Sequence, residues 1–412
     1  MEPWRRNFRL VWLNNFITAL GMMSFLPLFP LYLRSIGMED EAEIGAWSGI
    51  LVAGAPFTAA FLGPFWGALG DQVGRKAMLV RANLAITVFV LLMSFARTPE
   101  LLLILRLLQG VFSGFVPPAL TLVTVAVPED RQGRVTGNLH TSVLAGSMCG
   151  PLVGGLIGDT IGMRWAFVVA SLLSLLAAVM VVLFVKEERT EAQSSRRVLP
   201  SDLPVLLRSS LRSVFSLFAA SAMRRVLLVV FVVRFGATLA VPILALYVAQ
   251  LGDAPDGLLG TVTGLVFSAT ALATLLVTPL WGRRGDRSGH ERTLAVCVIL
   301  AGAATLPQAF VTATAGLYVL RFVAGSFVAG LFPTAYALAA VTSSREKRGG
   351  AHGLTFSSIG LANALGYATG GVIAGWIGIR GLFVLSAVLM MGAGLLALGT
   401  GRRHVAAPPE SP

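Results

Sequence analysis

Three arginines, Arg106, Arg234 and Arg321, stand inside long apolar runs of a 412-residue chain. A charge held in hydrocarbon is costly, so an intramembrane ionisable residue is a functional-site hypothesis by default. The chemistry open to such an arginine is electrostatic: it attracts anionic groups and depresses the proton affinity of groups beside it. Gln109, three residues beyond Arg106, is counted with it. No Asp or Glu falls in the middle of any apolar run, and Asp159 lies at the end of one. A buried carboxylate, whose pKa rises on burial, is a common way to load and release protons in a membrane; here that task needs another group. His140, near the start of the fifth run, titrates near neutral pH, and Asp71 and Asp159 are peripheral alternatives. A lone histidine near a helix end is more often structural. The runs hold no clustered acids, no metal-ligand set and no nucleophile beside a base, so an enzyme is not expected. A phosphate-binding Gly-x-x-x-x-Gly-Lys-Ser/Thr loop is absent, so direct drive by ATP is not expected either. No cofactor and no metal are implied.

The elements that must hold these residues are membrane helices. The chain is 55% hydrophobic and 13% charged, against about 25% charged in a soluble domain. Its 45 glycines suit helices packed closely in lipid. Spans of roughly 20 apolar residues cross a bilayer, and twelve are readable: 10–33, 46–69, 78–96, 101–124, 137–158, 164–185, 226–249, 259–281, 293–313, 315–341, 353–376 and 381–400. In hydrocarbon each must be helical, because every backbone group needs an internal partner. An even number places both termini on one side. Only Arg34, Arg97, Arg164 and Arg380 fall in the loops of the opposite side, while the other basic residues outside spans fall in the termini, the central segment and the loops beside them. That asymmetry places both termini in the cytoplasm. It also accounts for the net charge of +12. The basic residues form no aromatic-interleaved patch, so no nucleic-acid partner is expected. Cys149 and Cys297 lie in different halves and imply no disulfide framework. Arg5, Arg6 and Arg9 precede a run too long for a signal-peptide core, which reads as a first span.

The chain is also two copies of one unit. Pro64-Phe-Trp-Gly-Ala-Leu-Gly-Asp-Gln-Val-Gly-Arg-Lys76 returns as Pro279-Leu-Trp-Gly-Arg-Arg-Gly-Asp-Arg-Ser-Gly289, an offset of 215 residues. Pro27, Leu31, Tyr32, Gly37, Arg106, Gly110 and Pro118 recur at the same offset as Pro242, Leu246, Tyr247, Gly252, Arg321, Gly325 and Pro333. Gly154-Gly155 recurs one residue later as Gly370-Gly371. Arg234 has no mate, since Ala19 holds that register. The reading is all-α: a six-helix bundle over 1–185, a linker over 186–225, a second parallel bundle over 226–403 and a disordered tail over 404–412. In the linker, Leu203, Leu207, Leu211, Val214, Phe215 and Phe218 share one helical face with Arg208 and Arg212 nearby, which reads as an interfacial amphipathic helix.

Residues 67–76 resemble the loop signature of the major facilitator superfamily, Gly-x-x-x-Asp-x-x-Gly-Arg-Lys, with Gly67, Asp71, Gly74, Arg75 and Lys76 in its fixed positions. Arg106-Leu-Leu-Gln109-Gly110 resembles the fourth-helix signature. Gly146, Gly150, Pro151, Gly154 and Gly155 resemble the fifth-helix signature of twelve-span drug:proton antiporters. With Trp47-Ser-Gly and Phe65-Trp-Gly, the first half resembles the MdtG-type branch of multidrug efflux transporters. The resemblance implies export of small amphipathic compounds by proton antiport and alternating access across the cytoplasmic (inner) membrane. It implies the bilayer, protons and substrate as partners. One chain holds a complete pathway, so a monomer is expected.

Two readings compete at each site. Asp71, mirrored by Asp286, is either a gate facing the positive end of a helix in the other half or a solvated turn that sets topology; its recurrence favours the gate. Arg75 or Lys76 would pair with Asp71 or with lipid phosphate. Arg106 is either a coupling or substrate residue, as the resemblance implies, or a structural arginine bonded to backbone carbonyls; Arg321 follows it. Arg234 is either a pocket residue or a buried structural partner. The fifth-helix glycines permit close packing, and Pro151 permits a bend. By resemblance, spans one, four, seven and ten wall the cavity and offer Asn15, Met22, Phe25, Phe112, Phe115, Phe235 and Phe327, of types that repack around varied shapes. Ordinary helix packing is the competing role of each. Without a membrane acid to meet a cation, neutral, amphipathic or anionic substrates fit Arg106 and Arg234 best. A specific sugar or lipid exporter without proton coupling is the alternative.

Overall fold

A computed structural model describes residues 3–187, 221–341 and 348–401. Among the described residues the chain is entirely helical. Ten helices among the described residues are long and apolar enough to cross a membrane. One of these joins spans eleven and twelve into a single continuous stretch, Arg348–Gly401, broken at Gly378. Span seven is split into Ser221–Thr238 and Leu244–Leu251. Counting both, the twelve-span reading holds. Most of the linker, including the amphipathic face from Leu203 to Phe218, lies outside the described residues, as does the tail.

The hairpins that join spans turn on glycine. Gly74, Gly162, Gly289 and Gly378 sit between spans two and three, five and six, eight and nine, and eleven and twelve, with φ of 112°, 107°, 86° and 74°. Residues with a Cβ rarely adopt such angles, and the four positions are two repeat-related pairs. Span two (Glu41–Val73) begins under Asp40, whose carboxylate accepts the Glu43 amide at 2.8 Å. Span four begins at Pro99 under Thr98, whose hydroxyl accepts the Leu101 amide at 3.3 Å. Both are helix N-caps that satisfy otherwise orphaned donors.

Spans one, four, seven and ten are each interrupted. Span one runs Pro3–Phe25, tightens into a 3₁₀ turn at Leu26–Leu28, and resumes as Phe29–Ser35. Span four breaks between Pro99–Phe112 and Val116–Thr124, with Gly114 at φ 130°. Span ten breaks between Thr314–Val328 and Leu331–Val341. Proline explains the placement. Pro27 and Pro242 lie in the breaks of spans one and seven, and Pro118 and Pro333 lie just past those of spans four and ten. A proline cannot donate to the helix ladder and crowds the preceding turn.

Tyr32 and Tyr247 close the two bundles in the same way. Tyr32 donates to the Ala96 carbonyl at 2.9 Å, and Tyr247 to the Gln308 carbonyl at 2.7 Å. Each ties the end of its half's first span to the end of the third. The halves meet through span five against span eight and span two against span eleven.

Candidate functional site

Arg106 is 1% exposed, and each of its guanidinium nitrogens has a hydrogen-bond partner. Its Nε donates to the Leu51 carbonyl at 2.9 Å, its Nη2 to the Val52 carbonyl at 3.2 Å and its Nη1 to Gln109 Oε1 at 2.6 Å. The Val52 carbonyl is open because Pro56, four residues on, has no N–H to give it. Gly110 lets spans two and four approach, since a Cβ there would overlap Thr58 and lie 2.6 Å from Ala55 Cα. Gln109 Nε2 reaches Met22 Sδ at 3.1 Å, which extends the network to span one. Arg106 therefore ties span four to span two.

Arg321 does not repeat this arrangement. Ala271 stands where the repeat would place a second proline, so the Phe267 carbonyl, in the register of Val52, keeps a helical N–H, and Ala324 stands in place of Gln109. Arg321 is half-buried, 6.0 Å from the centre of the Phe267 ring, and its Nε has no hydrogen-bond partner. Arg234 is half-buried and donates through Nε and Nη2 to Asn363 Oδ1, at 3.2 and 2.9 Å, with the Phe332 ring 5.2 Å away. Tyr367 lies within electrostatic reach of both Arg234 and Arg106, and Tyr336 within that of Arg234. Asn363, Tyr367, Tyr336 and Pro56 were not singled out from the sequence. An Asn in an apolar span and a proline four residues beyond an open carbonyl are the signals that point to the first and last. His140 is exposed on span five, with no hydrogen bond among the described residues.

Gly67 and Asp71 lie on the last turns of span two, and the Asp71 side chain lies outside what the structure describes. Past Gly74, the Arg75 and Lys76 amides donate to the two oxygens of Glu187, at 2.7 and 3.1 Å, so the end of span six caps span three. Lys76 Nζ donates to the Val182 carbonyl at 2.9 Å. Asp286 is exposed and lies 3.7 Å from His290, one turn on. The tryptophans of the two loops brace the breaks of spans four and ten. Trp66 donates to the Val111 carbonyl at 2.6 Å and Trp281 to the Ser326 carbonyl at 2.7 Å, repeat-related partners near a helix end where carbonyls lack a helical donor.

The fifth-helix glycines have two faces. A Cβ on Gly146 or Gly150 would lie 2.5 Å from the Phe16 carbonyl or 2.6 Å from the Leu20 carbonyl, and one on Gly154 would overlap the Ser24 carbonyl, all on span one of the same half. Gly155 faces the other half, where a Cβ would overlap the Gly260 carbonyl at the start of span eight. Gly370 and Gly371 repeat the division, against Leu239 within their own half and Gly45 across the divide. The Pro151 carbonyl is approached by Gly264 of span eight, and Ser268 donates to the Met148 carbonyl at 2.5 Å. Span five is one helix through Pro151. Asp159, one turn beyond Gly155, accepts the Gly260 and Thr261 amides at 2.9 and 2.6 Å, a carboxylate on the positive end of span eight. Glu41 and Gln250 meet at 3.0 Å across the same end. This end holds the arginine-poor loops. Further along spans two and eleven the approach relaxes to ordinary contact, with a Gly360 Cβ 3.8 Å from Ala60.

Of the remaining residues considered for the cavity, Asn15 and Phe25 are buried. Asn15 accepts from Asn14 at 3.2 Å, and Phe25 packs on Phe29 and Phe167. Met22, Phe115, Phe235 and Phe327 are half-buried, and Phe112 is exposed beside Phe89 and Trp66.

Two six-span halves in parallel, with broken spans one, four, seven and ten, define a multi-pass transporter of the major-facilitator type. The chain belongs to the Major Facilitator Superfamily, whose sequence profile matches residues 11–252 and again 226–412. It is similar to multidrug resistance protein MdtG of Serratia proteamaculans, 31% identical over 94% of this chain and 92% of that one. The MdtG of Escherichia fergusonii is likewise 31% identical, with the same coverage. Among solved structures, the nucleoside transporter NupG has a TM-score of 0.77 at 12% identity, covering 95% of this chain and 99% of that one. The human organic anion transporter MFSD10 has a TM-score of 0.70 at 19% identity, covering 96% and 100%. The structural matches share the fold.

Proposed function

We propose that this protein is a secondary active exporter of small amphipathic compounds, working by alternating access and proton antiport across the cytoplasmic membrane with both termini inside. The observation that carries the mechanism is the contact between halves at the arginine-poor end. Glycine-to-backbone packing and the Asp159 carboxylate close that end, and such contacts can be broken as a unit while each bundle stays intact. In this reading that end, on the charge asymmetry of its loops, faces outward, and its contacts belong to the outward-closed state. The MdtG relatives, named for multidrug resistance, support drug export. Arg321, with its Nε unpartnered inside a span, supports substrates that are neutral or anionic rather than cationic. A specific metabolite exporter without proton coupling is the second reading, favoured by the lack of any mid-span Asp or Glu.

The test uses proteoliposomes with an imposed pH gradient, an internal pH dye and a panel of neutral, anionic and cationic lipophilic compounds. Substrate-dependent proton movement is expected, with Arg321→Gln reducing flux of the anionic members most. Flux without proton movement selects the second reading. Transport of cations alone refutes the substrate assignment.

A further inference from the structure

The geometry points to a binding site for the phosphate of an anionic phospholipid where span three leaves the arginine-rich end of the first half. A cavity of about 660 Å³ opens there, lined by Lys76, Ala77, Val80, Arg81, Leu84 and Glu187. Its two cations are available. Arg81 packs over Trp66, its guanidinium carbon 3.6 Å from the ring centre. Its only described polar contact is Nη1 to Met78 Sδ at 3.5 Å, and its Nε has no partner. Lys76 spends one of its three donors on the Val182 carbonyl. The one carboxylate in the cavity, Glu187, is committed to the Arg75 and Lys76 amides, and among the described residues no carboxylate pairs with Arg81 or Lys76. A guanidinium without a carboxylate partner at the wall of a cavity is suited to phosphate oxygens, which it can meet with two parallel hydrogen bonds.

The surroundings select a lipid over a soluble phosphate. Leu84 lines the cavity and begins an exposed apolar row along span three, through Val88, Leu91 and Phe95. Beside it span six exposes Val179 and Val182. A headgroup in the cavity would send its acyl chains along these rows with no break between polar and apolar contact. The second half has no equivalent: Glu291 and Val296 occupy the registers of Lys76 and Arg81. The site belongs to one half, and the loop it anchors is the one that carries Asp71.

Lipid retention on the intact chain, purified in detergent, tests this. The probes are phosphatidylglycerol, phosphatidylcholine and inorganic phosphate, read by native mass spectrometry. Phosphatidylglycerol is expected to be retained over phosphatidylcholine, and millimolar inorganic phosphate is expected not to displace it. Arg81→Gln and Lys76→Gln are each expected to lower retention about tenfold, the size of one charge-assisted hydrogen bond, while Lys186→Gln outside the cavity leaves it unchanged. If Arg81→Gln fails to fold, Lys76→Gln decides alone. Equal retention of the two lipids, or unchanged retention in the variants, overturns the site. Full displacement by inorganic phosphate overturns the lipid assignment.

Discussion

Gly154 and Gly155 are adjacent, yet the same substitution at each should fail in different ways. A methyl group on Gly155 would lie 2.8 Å from Thr261 Cα and closer still to the Gly260 carbonyl, both across the divide. Ordinary contact starts near 3.4 Å, so the halves must separate by at least about 0.6 Å at that point. Overpacking of this kind costs about 1–3 kcal/mol. On the proposed mechanism the cost falls on the state in which the arginine-poor end is closed, where Gly155 meets Gly260. At about 1.4 kcal/mol per factor of ten, Gly155→Ala should shift the conformational equilibrium roughly 5- to 150-fold toward opening at that end. Gly154→Ala meets Ser24 within its own bundle, a contact present in both states, and should lower stability without moving the equilibrium. The assay is double electron–electron resonance between spin labels at Glu39→Cys and Asp256→Cys, exposed positions on opposite halves, in a background lacking Cys149 and Cys297. A longer distance population should grow in Gly155→Ala and not in Gly154→Ala, whose thermal midpoint should fall instead. Identical distance distributions in Gly155→Ala and the parent would refute the reasoning, as would an equal shift in both variants.

Asp159→Ala should weaken the same closure by roughly 1–2 kcal/mol, since two amides lose a charged acceptor at a half-buried position; faster alkylation of a cysteine at Thr261 would show it, and an unchanged rate would argue against the latch. Arg106→Ala should lower the thermal stability of the purified protein by about 3 kcal/mol equivalent, as a fully buried network loses its donor. Pro56→Ala should recover about 1 kcal/mol of that loss by returning an N–H to the Val52 carbonyl, and a double-mutant cycle with no coupling would remove the proline from the explanation. Asp253, in the loop after span seven, has its carboxyl held below the usual range by the hydroxyl and amide of Thr314. Its folded pKa is depressed, so its contribution is complete above the unfolded value near 3.8 and is lost as pH falls through the folded value. Thermal midpoints between pH 3 and 6 should therefore fall less steeply at the acid end in Asp253→Asn than in the parent.

Much of the fold was legible in the sequence. Apolar length fixed the number of spans, because lipid allows a single chain few ways to satisfy its backbone. The 215-residue recurrence fixed two like halves, and the paired glycines Gly74 and Gly289 recur because a hairpin between helices needs a positive φ that only glycine adopts easily. The prolines Pro27, Pro118, Pro242 and Pro333 were visible as repeat markers, and the structure gave them a local role beside the breaks of four spans.

The candidate site was legible by residue type and not by partnership. Arg106 and Arg321 are mates in sequence, but in one every guanidinium nitrogen has a hydrogen-bond partner and in the other Nε has none. Part of the difference lies in Gln109, whose register in the second half holds Ala324, and part in Pro56, whose register there holds Ala271; Pro56 acts through the Val52 carbonyl, which meets Arg106 only once the helices pack. Phe25 and Phe235 are the same residue type on corresponding spans, yet one is core and the other half-exposed. Gly154 and Gly155 face different bundles through one residue of helical rotation. Sequence determined which groups are charged, small or unable to donate, because those properties are covalent. Tertiary structure decided which of them meet, because a hydrogen bond or a backbone contact is made or lost within fractions of an ångström, and helical register assigns a residue to a face without saying what that face will touch.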